Sequence, residues 1–226
     1  MKKLVLLSFL SVLTACGVSK PTIKQSETSM DRLTSVTKIW DHQIIHELPI
    51  DWRVRDSQQK GNVFTQLYLP ADVSVSNWNR NFQVIAMKFK ESESAEKRKQ
   101  AVKGIVQSQA IMILMACRDN KAYLDLGEKD VGGDLYGYHM IFGCKKATKD
   151  MPRLGLKKDT GEVVYTYGIS AENSLYIIQS SVKGSDLNID DKLIEEKVKN
   201  HVQQFLPITL CPVGGGSELC QSVTQI

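Results

Sequence analysis

The chain has 226 residues, 42% of them hydrophobic and 24% charged, values of an ordinary globular protein that exclude both a disordered chain and a polytopic membrane protein. That length suits one domain, or one domain with an appendage. Twenty-nine basic against 25 acidic side chains leave a formal charge of +4, too small an excess to indicate nucleic acid as a partner.

The first predicted element is an address. Lys2 and Lys3 precede an apolar run from Leu4 to Leu13, and small residues follow it, the layout of a secretory signal peptide. The run is too short to span a bilayer, which takes about 20 apolar residues. It ends in Leu13-Thr14-Ala15-Cys16-Gly17, which resembles the lipobox of bacterial lipoproteins. The resemblance implies that residues 1–15 are removed, that Cys16 becomes the first residue and carries a thioether-linked diacylglycerol, and that its new amino group is a further acylation site. A buried methylene contributes about 0.8 kcal/mol and one acyl chain holds only marginally, so two or three chains make a durable anchor. The membrane is therefore an expected partner, through the N-terminal lipid. In Gram-negative lipoproteins an aspartate after the lipidated cysteine commonly retains the protein in the inner membrane. With Gly17 in that place, the resemblance implies the outer membrane, the domain facing the periplasm; in a host of another envelope type the chain is anchored to the cell membrane.

With Cys16 taken by lipid, Cys117, Cys144, Cys211 and Cys220 remain, an even set in an exported chain that reads as two disulfides. Three pairings are possible. The pairs nearest in sequence, Cys117 with Cys144 and Cys211 with Cys220, each flank one predicted unit and are the expected ones. None of the four has C-x-x-C spacing, so a zinc site is not expected.

Gly17 to Lys38 is polar, with no sustained apolar period, so residues 16–38 read as a flexible tether ahead of a single globular domain over 39–226. Strands are predicted near residues 44–48, 52–55, 63–69 and 82–89 from their β-branched and aromatic content, and Pro70 ends the third. Ser92 to Cys117 is the clearest helix: Ala101, Val102, Ile105, Val106, Gln109, Met112, Ile113, Ala116 and Cys117 recur at helical spacing, and Ser94 can cap it. From Ala110 to Ala116 the helix is apolar all round, so its last two turns are expected to be buried on more than one side. Further strands are predicted at 121–126, 135–144, 162–170 and 174–182, the last two joined by the Ala171-Glu172-Asn173 turn. A second amphipathic helix follows at 190–205, stopped by Pro207. A disulfide from Cys211 to Cys220 would pin a tail containing three consecutive glycines.

These elements predict an α+β domain, an antiparallel sheet of about six strands with two main helices packed on it, sandwich-like. Their order, with the Tyr68-Leu69-Pro70 strand end and Trp78 after it, distantly resembles PsbP-like domains, α/β/α sandwiches with mainly non-catalytic binding or assembly roles. That resemblance carries over no functional residue.

Chemistry-bearing motifs are few. His42 and His46, followed by Glu47, lack the H-E-x-x-H order of a helical zinc site. Ser57-Gln58-Gln59-Lys60 matches S-x-x-K, but the S-D-N and K-T-G elements that accompany it in enzymes are absent. Lys145, Lys146, Lys149, Arg153, Lys157 and Lys158 form a basic loop, read as a solvated face. Trp40, Trp52 and Trp78 read as packing residues, with a stacking platform as the rival role. The expected function is a non-catalytic binding or assembly component of an envelope complex, with envelope proteins as partners, no cofactor and no catalytic residue. One alternative is a hydrolase of cell wall or lipid, joining Ser57, His42, His46 or His139 to a carboxylate. The other is a carrier of a small apolar ligand under the helix from Ile105 to Met115.

Overall fold

The structure, a computed structural model, describes residues 32–89, 94–117, 120–131, 135–152, 156–187 and 189–223. Cys16 and the expected signal peptide lie outside these residues. Among the described residues the strands and α-helices are, in order, β1 (Arg32–Ile39), β2 (His42–Pro49), β3 (Trp52–Lys60), β4 (Val63–Pro70), β5 (Arg80–Lys88), α1 (Ala95–Cys117), β6 (Lys121–Asp130), β7 (Tyr136–Cys144), β8 (Gly161–Ser170), β9 (Ser174–Gly184), α2 (Asp191–Val202), β10 (Ile208–Pro212) and β11 (Gln221–Val223). The α+β expectation holds: two helices pack on antiparallel sheets that stay open. The strands are more numerous than the six expected, forming a seven-stranded sheet in the order β3-β4-β5-β9-β8-β7-β6 and a four-stranded sheet in the order β1-β2-β10-β11.

The large sheet is built from consecutive hairpins whose register fixes which side chains share a face. On β7, β8 and β9, residues such as Met140, Phe142, Val164 and Ile177 point to one face, while Ile141, Val163, Tyr165 and Ile178 point to the other; all are buried. Burial on both faces makes these central strands near-continuous apolar runs. The first face meets α1. The second meets α2 and the inner side of the small sheet, where Ile39, Ile44, Leu48, Ile208 and Leu210 pack with Trp52, Phe82 and Phe205. Three layers result: α1, the large sheet, then α2 beside the small sheet.

Residues 32–38, expected as the end of the tether, form most of β1. Their sequence is polar because only one side is covered: Thr37 and Ile39 turn inward, and the Thr37 hydroxyl is 2.9 Å from the Tyr68 hydroxyl and donates to Gln66 Oε1 at 2.7 Å. The β3 strand was under-read for a similar reason. It is the sheet's edge, and everything after Trp52 is exposed, with charged residues of the kind that protect an edge from pairing with other chains.

Both helices begin on side-chain caps. The Ser94 hydroxyl accepts from the Lys97 N–H at 3.4 Å, and Asp190 accepts from the Leu193 N–H at 3.0 Å, satisfying donors that have no partner inside the helix. Cys117, the last residue of α1, is bonded to Cys144 at the end of β7, and Cys211 to Cys220 across the tail glycines. In the chain-entropy model a bridge across 27 residues contributes about 3–4 kcal/mol. Disulfides of this kind belong to an oxidising, extracytoplasmic compartment. Among the described residues no helix is long and apolar enough to cross a membrane.

Candidate functional site

The helix α1 is held from below and bare above. Val102, Val106 and Ala110 are fully buried and Cys117 nearly so, at the three- and four-residue spacing that puts them on one side. The approach is close: a Cβ on Gly168 of β8 would lie 2.9 Å from Val106 Cγ2. At the flanks Lys99 and Lys103 set their ammonium groups 5.5 Å above the Tyr136 and Tyr138 rings. Gln107 and Gln109 donate to and accept from the sheet, at the Tyr138 hydroxyl (3.2 Å) and the Gln179 amide (3.0 Å).

On the opposite side the expectation of burial fails. Ile111, Met112 and Met115 are 56%, 67% and 76% exposed, the three most exposed large apolar side chains among the described residues. They sit within one and a half turns of each other, and Tyr123 of the edge strand β6, half-exposed, lies on the same face of the sheet. A single layer of sheet covers only one side of a helix, and nothing in this chain's described residues covers the other. Apolar side chains scattered singly over a surface need no explanation, whereas a cluster of them marks an interaction site. Methionine suits such a site because its unbranched, polarisable chain adapts to its partner. The helix's last turn carries no basic residue, and its first turn holds Glu96 beside Lys97, Arg98 and Lys99.

The motifs that carry catalytic chemistry are not brought together. His42 and His46 lie on one face of β2, four residues apart and so about 13 Å along the strand, too far to share a metal ion. The His46 ring is buried against Tyr68 and Phe82 with Nδ1–H donating to the Glu47 carbonyl at 2.8 Å. Burial lowers its pKa to about 4. His201 mirrors it on α2, packed on Trp52 and Phe205, with Nε2–H donating to the Asn81 carbonyl at 3.2 Å and a pKa lowered by burial to about 4. His139 is lowered to about 4 by burial and by the ammonium groups of Lys129 and Lys199. All three are neutral at pH 7, serving as packing groups in an aromatic core.

His42 lines a cleft of about 260 Å³ where the two sheets meet, with Glu172 at the β8–β9 turn and aliphatic walls from Leu135, Leu210, Pro212 and Leu219. No serine, threonine or cysteine is among its lining residues. Ser57 and Lys60 are exposed on the β3 edge, three apart and therefore on opposite faces. Among the described residues no three His, Cys, Asp or Glu side chains are grouped so as to hold a metal ion.

The basic loop is partly neutralised, Lys145 pairing with Asp191 at 3.0 Å and Lys146 with Asp159 at 3.3 Å; Arg153 lies outside the described residues. Trp52 is buried, Trp40 occupies the β1–β2 turn at a φ of 52°, and Trp78 has the Lys183 ammonium 3.5 Å above its ring. That ammonium covers one face of the ring.

Ile111, Met115 and Tyr123 were not singled out as functional by the sequence. The available signal was the all-round apolar end of α1, which reads as deep burial unless the covering elements are counted.

No family model and no curated protein matches the chain. A solved structure from Bacteroides thetaiotaomicron VPI-5482 is similar to it, with a TM-score of 0.33 and 11% identity over 66% of this chain and 43% of that one. The chain thus spans less than half the length of that protein.

Proposed function

We propose that this chain is a non-catalytic envelope lipoprotein that binds or assembles with a protein partner through the outward face of α1. Cys16 is its lipid anchor, to the outer membrane with the domain facing the periplasm where the host is Gram-negative. The observation that carries the binding role is the bare cluster of Ile111, Met112 and Met115 on a helix pinned at Cys117 by its disulfide. Each of those side chains is worth about 1.5–3 kcal/mol when fully buried, and left in water it contributes nothing to folding. The packing of the histidines into the core and the separation of Ser57 from Lys60 support a non-catalytic reading. The lipobox Leu13-Thr14-Ala15-Cys16 supports the anchor, and the disulfides favour an extracytoplasmic location.

The test is crosslinking in cells followed by affinity capture and mass spectrometry on wild type, Cys16→Ala and the double variant Met112→Glu, Met115→Glu. A defined set of envelope proteins or of copies of the chain itself, recovered with wild type and lost with the double variant, is the expected outcome. Loss or mislocalisation in Cys16→Ala is expected as well. The same set recovered with all three proteins would sink the reading.

A further inference from the structure

We propose that the partner on this face is a second copy of the chain, held by α1 packing antiparallel against the partner's α1 about a two-fold axis. This rests on the outward side of α1 being a docking face and names what docks there. Ala101, Gly104, Ser108, Ile111 and Met115 follow one another at spacings of three, four, three and four, the repeat that keeps a seam facing a partner helix. The seam is polarised in size. Its first half is small: a Cβ on Gly104 would meet nothing within 4 Å, and the Ser108 hydroxyl folds back onto the Gly104 carbonyl at 2.6 Å. Its second half is large and stands proud of the surface.

Such a seam is complementary to itself in one direction only. With the two-fold axis passing between Gln109 and Ala110, Met115 lies over the partner's Gly104 and Ile111 over the partner's Ser108, so each knob meets a hollow. In the parallel direction glycine faces glycine and methionine faces methionine, which splays the helices at one end. A seam this short buries less than the roughly 800 Å² per partner of a typical stable complex, so the pair is weak in dilute solution. Two copies anchored in one membrane meet at a far higher effective concentration.

The experiment uses the full-length chain in cells, where the extracytoplasmic compartment oxidises exposed thiols. Gly104→Cys and Met115→Cys, carried on differently tagged copies, are expressed separately and together. Both positions are exposed on the helix surface, and unchanged thermal melts of the purified variants control for folding. Together they are expected to give a disulfide-linked dimer containing both tags. Either alone gives several-fold less, since identical positions lie about 16 Å apart along the helix axis in the antiparallel pair. Equal crosslinking by single and mixed variants would overturn the antiparallel register. A crosslink to a protein of different mass, or Met115→Cys shielded from a water-soluble maleimide without any dimer, would overturn self-pairing and leave the docking face in place. Full maleimide labelling with no dimer would overturn both.

Discussion

Three histidines shape the pH response of this fold. His46, His139 and His201 each have a pKa near 4 in the folded chain against about 6.5 when unfolded. The unfolded chain therefore binds more protons between those values. Stability is full above about pH 6.5 and is lost progressively as pH falls through that window to about 4, at up to about 1.4 kcal/mol per pH unit for each of the well-buried His46 and His201 and by less for the more exposed His139, where solvent screens the charge. Urea unfolding at pH 7.5, 6 and 5 should show the unfolding free energy dropping as the solution is acidified; a flat profile would mean that these rings are solvated. Gly168 makes a second residue-scale test. A Cβ there meets Val106 Cγ2 at 2.9 Å, so Gly168→Ala should lift α1 off β8 and destabilise the domain by about 1–3 kcal/mol. An unchanged melting temperature would contradict the close seating of the helix.

For the elements, the two sides of α1 should respond in opposite ways. Val106→Ala removes buried methyl groups and should cost about 2 kcal/mol, whereas Met112→Glu with Met115→Glu should change stability by no more than about 0.5 kcal/mol each, as exposed substitutions do. Both are read in the same denaturant series, and a large loss from the glutamate pair would mean that this side is part of the core. The inner side was legible in the sequence because Val102, Val106 and Cys117 keep helical spacing. The outer side was misread because Ala110 to Ala116 is apolar all round, and composition alone cannot tell burial within the chain from burial against another. The hairpins from β4 to β9 were legible through their alternating or continuous apolar runs. In contrast, β1 and β3 were lost in polarity, since one lies at the margin of the small sheet and the other at the edge of the large one. The histidine environments were illegible because His46 and His201 meet the aromatic core only through long-range packing.

At the scale of the molecule, and among the described residues, one face of the large sheet carries a second sheet and a helix, and the other carries a single helix. One helix covers roughly 10 Å of breadth on a sheet whose seven strands span about 30 Å. That breadth leaves part of the sheet uncovered, and the outward side of α1 is bare because nothing among the described residues packs over it; the proposal assigns that side to association at the membrane where Cys16 would anchor the chain. The most direct test places a photo-crosslinking amino acid at position 112 or, as a control, at position 57 on the exposed β3 edge, in full-length protein in living cells. The account predicts one strong crosslinked band from position 112 and none of comparable strength from position 57. Equal, diffuse crosslinking from both positions, or none from position 112, would show that the bare side of α1 faces only water.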